Sequence, residues 1–234
     1  MKIEIFSGPD TAAKEAARII AAEARQAVAE RGKFIAAFSG GHTPWLMLRA
    51  LADEDVPWSG VQIVQVDERV APADDRDRNF THLRESLLDH APAPPGHVHA
   101  MPVEERDLSA AAVKYARTLQ TLAGSPPVLD LVHLGLGPDG HTASLVPGDP
   151  VLQVSNADVA VTGSYQGRSR MTLTYPILNR SRRILWLVTG SDKAGMLVRL
   201  RNGDPSIPAG RVSRDAAFIL ADKAAAEQLG KTDD

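Results

Sequence analysis

The chain has 234 residues, of which 24% are charged, and a formal net charge of −3 at pH 7. That length suits one substantial α/β domain over residues 1–234, and mild acidity without any Lys/Arg block interleaved with aromatics argues against nucleic acid as a partner. The absence of cysteine rules out disulfides, thiolate nucleophiles and zinc–cysteine sites, and with no signal-peptide core or apolar run of bilayer length the chain is expected to be cytoplasmic, with no membrane partner.

Residues 3–6 read as a strand, followed by an Ala-rich helix that Asp10 or Thr11 caps, that Ile19, Ile20 and Val28 mark as apolar on one side, and that Gly32 ends. Residues 34–38 form a buried strand that breaks into Ser39-Gly40-Gly41-His42-Thr43-Pro44, and residues 45–51 continue as a helix with Pro44 in its first turn. A third strand over 61–66 ends in Asp67-Glu68-Arg69 and a polar loop. Residues 79–89 are predicted helix, 91–95 a proline-rich loop, 97–101 a strand and 108–123 a helix.

Residues 129–136 are almost unbroken apolar sequence, as a strand covered on both faces requires. This strand stops at Gly135, Gly137, Pro138, Asp139 and Gly140, and delivers His141, Thr142 and Ser144 to the edge of the sheet. Beyond Gly148 come short strands over 158–162 and 170–174 around a flexible stretch at 163–169, then strand 184–188, helix 192–201, strand 217–220 and helix 222–229. The alternation predicts an α/β fold with a mostly parallel, doubly wound, Rossmann-like sheet covered on both faces, plus a small additional β-containing subregion.

Several stretches carry chemistry. The glycine turn from Ser39 to Thr43 presents free amides and hydroxyls at a helix N-terminus, a seat for phosphate, but its spacing is neither that of a Walker loop nor Gly-x-Gly-x-x-Gly. Asp67, Glu68 and Arg69 at a strand end suit a polyol and an anion, since arginine offers a planar fork to phosphate oxygens. Arg168, Arg170 and Lys193 add cations near other strand ends. His141, on a rigid glycine-bounded turn, is the best general-base candidate; Asp139 either orients it or makes an Asx turn. His133, inside an apolar strand, reads as a core histidine, and His97 and His99 lack a third ligand, so no metal site is expected.

Taken in order, Ser39-Gly40-Gly41-His42-Thr43-Pro44, Val66-Asp67-Glu68-Arg69, Asn79-Phe80, the run from Gly135 to Leu145, Arg170-Met171-Thr172-Leu173-Thr174, Val188-Thr189-Gly190 with Lys193, and Pro208-Ala209 resemble the 6-phosphogluconolactonase family, which is related to glucosamine-6-phosphate deaminase. The resemblance implies hydrolysis of a sugar-phosphate lactone, 6-phospho-D-glucono-1,5-lactone, without cofactor or metal; the sequence leaves the oligomeric state open between a monomer and a weak dimer. His141 would be the base, with Asp139 beside it, and Ser39, Gly40, Gly41, His42, Thr43, Asp67, Arg69, Arg170 and Lys193 would bind the substrate and its phosphate. His42, Arg78 and His133 depart from the family's usual residues. The rivals are a deaminase-like isomerase, whose characteristic Glu after the Asp-Gly-His turn is absent here, and a sugar-phosphate sensor without turnover.

Overall fold

The structure is a computed structural model and describes residues 1–230. Its elements run β1 (Lys2–Phe6), α1 (Pro9–Arg31), β2 (Phe34–Phe38), α2 (His42–Ala52), β3 (Val61–Gln65), β4 (Asp67–Arg69), α3 (Asn79–Leu83), β5 (Val98–His99), α4 (Leu108–Ala123), β6 (Leu131–Leu134), β7 (Val159–Val161), β8 (Arg170–Leu173), α5 (Tyr175–Arg180), β9 (Ile184–Val188), α6 (Ala194–Asn202) and β10 (Ala217–Asp222). Seven strands form a parallel sheet in the order β1-β10-β9-β6-β2-β3-β5, and β4-β8-β7 form a small antiparallel sheet. The main sheet and the extra β subregion are thus both as predicted. Among the described residues no helix is long and apolar enough to cross a membrane.

The central strands alternate their side chains between two apolar layers. Phe34, Ala36, Phe38, Leu131 and Leu185 face α1 and α2, while Ile35, Ala37, Val132, Leu134 and Trp186 face the layer that includes α4, α5 and α6. The buried side of α1 is mostly alanine, with Ala12, Ala13, Ala16, Ala17, Ala21, Ala24 and Ala27 around Ile20, and Ile19 and Val28 at its margin. Alanine gives this helix a thin face that packs close to the sheet and to α2.

Several boundaries differ from the sequence reading. Gly8 is the N-cap of α1, and Thr11 serves it from the first turn: its hydroxyl accepts from the Gly8 amide at 3.2 Å and donates to the Gly8 carbonyl at 2.8 Å. Asp67–Arg69, expected as the end of the third strand, is a separate strand of the second sheet, paired with Arg170–Thr172. The helix that begins at Asn79 widens into a π-turn at Arg84–Leu88. Helix α5 follows β8 with a single residue between, a start hidden in the run Thr174-Tyr175-Pro176. Residues 223–230 form turns instead of the expected helix: β10 runs on to Asp222, whose carboxylate accepts from the amides of Gly190 and Ala225.

Candidate active site

Strands β2 and β6 are neighbours, yet the chain continues from β2 toward β3 and from β6 toward β9, on opposite sides. At such a reversal the loops after the two strands diverge and leave a crevice beyond their carboxyl ends. A cavity of about 220 Å³ opens there. Its wall combines Ser39, Gly40 and Gly41 after β2, Gly135 to Pro138 and His141 after β6, Asp67 and Arg69 from β4, Arg170 from β8, and Asn79, Ala143 and Lys193.

Two glycines are required by close approach. A Cβ on Gly137 would lie 2.1 Å from His141 Nδ1, so the imidazole rests directly on bare backbone. A Cβ on Gly40 would lie 1.8 Å from Asn79 Oδ1. Asn79 fills that notch, donating to the Asp67 carbonyl at 2.9 Å and to Asp67 Oδ1 at 3.2 Å while accepting from Arg69 Nη1 at 2.5 Å. The amides of Gly40 and Gly41 have no partner among the described residues, as expected where a helix begins.

His141 Nδ1 lies 2.5 Å from Asp139 Oδ1, and the same oxygen accepts the His141 backbone amide at 3.1 Å. Orienting acid and Asx turn, alternatives from the sequence, are therefore one arrangement. Partial burial pushes the Asp139 carboxyl up, but the two His141 donors and the Tyr165 hydroxyl outweigh it and hold the group below the usual carboxylate range. An ionised carboxylate only accepts hydrogen bonds, so Nδ1 is protonated, and in the neutral ring this leaves the lone pair on Nε2.

The other side of the cavity carries two arginines, Arg69 and Arg170, without a carboxylate partner among the described residues. Arg170 is 5% exposed, its Nη2 donates to Gln166 Oε1 at 3.1 Å, and its buried Nε has no partner. Burial pulls its pKa down, with Asp67 opposing. Arg69 donates to the Asp77 carbonyl at 3.0 Å and to Asn79. Neither arginine forms an ion pair with a carboxylate among the described residues. A second cavity of about 290 Å³ shares Gly41, Arg69 and Arg170 and adds Arg76, Arg168, Trp45 and His82, extending the cationic surface outward.

Other predicted site residues sit differently. The Ser39 hydroxyl donates to the His133 carbonyl at 2.9 Å and so faces the sheet. Thr43 Oγ1 lies 2.5 Å from Thr189 Oγ1, and His42 is exposed; neither lines the cavity. Lys193 lines it but is paired with Asp192. Glu68 is fully buried away from the cavity, accepting from the amides of Arg69, Asn79 and Phe80 and pairing at 3.1 Å with buried Arg78. Arg78 is thereby a structural clamp, bonded also to Glu104 and the Ala71 carbonyl. Arg168 ties residues 163–169 to Asp75 and Asp77. His133 is the core histidine that its strand implied, and burial lowers its pKa to about 3. Asn79 and Tyr165 were missed as site residues; the only signal was the Asn79-Phe80 pair within the ordered motifs and an aromatic in a Gly/Ser-rich loop. No cluster of three or more metal-ligating side chains occurs among the described residues.

A family model described as glucosamine-6-phosphate isomerases/6-phosphogluconolactonase matches residues 7–220. The 6-phosphogluconolactonase of Synechocystis is 37% identical across 87% of this chain and 88% of its own length, and that of Mycobacterium tuberculosis 37% identical across 97% and 98%. Among solved structures, 6-phosphogluconolactonases from Thermotoga maritima and Trypanosoma brucei superpose with TM-scores of 0.84 and 0.85, each at 27% identity, covering 94% and 97% of this chain and 98% of each of theirs. A monomeric glucosamine-6-phosphate deaminase shares the fold at a TM-score of 0.82 and 22% identity, with 97% of this chain and 99% of that one covered. With a family model matched over residues 7–220 and relatives 37% identical along most of its length, the chain belongs to the glucosamine-6-phosphate isomerase/6-phosphogluconolactonase family.

Proposed function

We infer that this protein hydrolyses 6-phospho-D-glucono-1,5-lactone to 6-phosphogluconate, the activity named for its curated relatives. The observation that carries the mechanism is the meeting, in one cavity, of a tautomer-fixed imidazole and two arginines without countercharges. In this reading Arg69 and Arg170, with the free amides of Gly40 and Gly41, hold the substrate phosphate, and Lys193 borders it. Asp67, already accepting from Asn79 and from Ser144 Oγ at 2.6 Å, offers its remaining lone pairs to sugar hydroxyls.

His141 Nε2 takes a proton from water as the water oxygen bonds to the lactone carbonyl carbon. The carbonyl oxygen becomes an oxyanion, whose charge a hydrogen-bond donor or cation of the cavity wall must offset. As the intermediate collapses, the bond from C1 to the ring oxygen breaks and its electron pair stays on that oxygen, which recovers the proton from Nε2. The released acid ionises at neutral pH. Asp139 keeps Nδ1 protonated throughout, so the base is regenerated with no other group. A positioned base of this kind contributes about 10² to 10⁴ in rate. The cytoplasmic setting expected from the sequence belongs to the same proposal.

The test follows decay of the lactone, generated in situ at neutral pH, with wild type and His141→Ala in parallel. The wild type should accelerate decay, and the variant should lose at least about 10²-fold while still binding 6-phosphogluconate. Binding with decay at the spontaneous rate in the wild type would replace the lactonase with a sensor.

A further inference from the structure

Tyr165 belongs to neither the glycine turns nor the arginines, yet it touches both halves of the site. It sits at the tip of the hairpin joining β7 to β8, where its amide donates to the Arg168 carbonyl at 3.0 Å and accepts back at 3.3 Å through its own carbonyl. The two residues between, Gln166 at φ 52° and Gly167 at φ 81°, are both left-handed, the signature of a tight two-residue turn matched to the twist of a hairpin. The stretch that looked flexible in sequence is thus a built tip, and Arg168 anchors it to Asp77 at 2.8 Å.

From that tip the Tyr165 hydroxyl donates to Asp139 Oδ2 at 3.0 Å, while Oδ1 of the same carboxylate holds His141. The phenol ring meets the imidazole edge to face at 5.5 Å, and the Arg170 guanidinium lies 4.9 Å from the ring centroid on the other side of the chain of contacts. The Asp139 side chain is 36% exposed. The His141 amide and Nδ1 both bind Oδ1, so Tyr165 alone among the described residues holds Oδ2 and fixes the rotation of the carboxylate against water.

We propose that the Tyr165 hydroxyl is a positioning group for the general base, pinning Asp139 through its second oxygen so that one carboxylate rotamer and one imidazole tautomer are set before substrate arrives. This rests on the reading of His141 as the base. Tyr165 needs no contact with the reacting atoms; it acts through Asp139. The same ring borders Arg170, so the hairpin tip sets the distance between the base and the anion seat. The charged and titratable groups around His141 are Asp139 on its own turn, Tyr165 and Arg170 from the hairpin, and Asp67, Arg69 and Lys193 across the cavity.

Tyr165→Phe removes the hydroxyl and keeps the ring contacts. The expected result is a fall in kcat of about tenfold, the rate equivalent of one ordinary hydrogen bond, with KM within about twofold because the phosphate ligands are untouched. The nitrogen chemical shifts of the His141 ring, read by NMR without substrate, should show the Nδ1-protonated tautomer losing population in the variant. Unchanged kcat with unchanged tautomer populations would overturn the inference, as would a rise in KM with kcat intact, which would make Tyr165 a substrate ligand. His141→Ala separates the two proposals: if it leaves turnover intact, the base reading fails on its own, while the tautomer populations in Tyr165→Phe still report whether Tyr165 controls the pair.

Discussion

His133 is the residue whose chemistry depends most on where the strand places it. It lies on the α1 and α2 side of β6, fully buried, accepting at Nδ1 a long 3.4 Å hydrogen bond from the Ser39 amide while its Nε2 has no partner. Burial depresses its pKa from 6.5 to about 3. Between those values the unfolded chain binds a proton that the folded chain refuses, so stability falls as pH falls through this window. Integrated from pH 7 to pH 5, the loss amounts to about 2 kcal/mol. Urea unfolding of wild type and His133→Leu at the two pH values should therefore show the wild type losing about 2 kcal/mol more than the variant. Equal losses would mean that the ring finds a partner for its proton inside the fold. The apolar setting of His133 was legible because strand periodicity is local. The Asp139 pairing with His141 was half legible, since two residues of separation permit both an Asx turn and a side-chain contact, and only the turn's actual path decides that they coincide.

The small antiparallel sheet has a cost that its sequence does not show. Its register sets Arg69 of β4 directly opposite Arg170 of β8, and like charges at about 5 Å across a ladder destabilise a sheet. In the proposed reading the substrate phosphate sits between them and offsets the repulsion, so the ligand would relieve strain held by the free protein. Arg170→Met keeps the bulk and removes one charge. It should raise the thermal midpoint of the free protein, by a stabilisation on the order of 1 kcal/mol, and abolish most of the midpoint rise that 6-phosphogluconate gives the wild type. A lower midpoint with the ligand response retained would contradict this account. Elements of this kind are where sequence reading fell short. Asp67-Glu68-Arg69 is polar and short, and its strand character comes from a partner about 100 positions away, which no local pattern encodes. Helix α4 and strands β2 and β9 were legible to the residue because their periodicity and terminators are internal. The helix expected over 222–229 is replaced by turns after a strand that takes in Asp222 itself, even though the Asp222 carboxylate accepts the Ala225 amide as a helix N-cap would.

Across the whole molecule, the sheet order determines which segments the site can rely on. The cavity is held by β2, β6, β4 and β8, while β1 lies at the far edge with β10 as its only neighbour. A chain shortened to end at Arg214 and compared with the full chain by hydrogen exchange should lose amide protection in β1 and keep it in β2 and β3. Protected β1 amides in the shortened chain would contradict the topology. The arrangement of β1 and β10 also has a meaning for the ribosome. Strand β1 is translated more than 200 residues before β10, its sheet partner among the described residues, so throughout that interval the nascent chain carries an unclosed sheet edge beside the alanine face of α1. Ile5, half exposed even in the finished fold, sits on that edge. An exposure to aggregation, and a use for a chaperone, therefore falls in the interval when β1 exists and β10 does not.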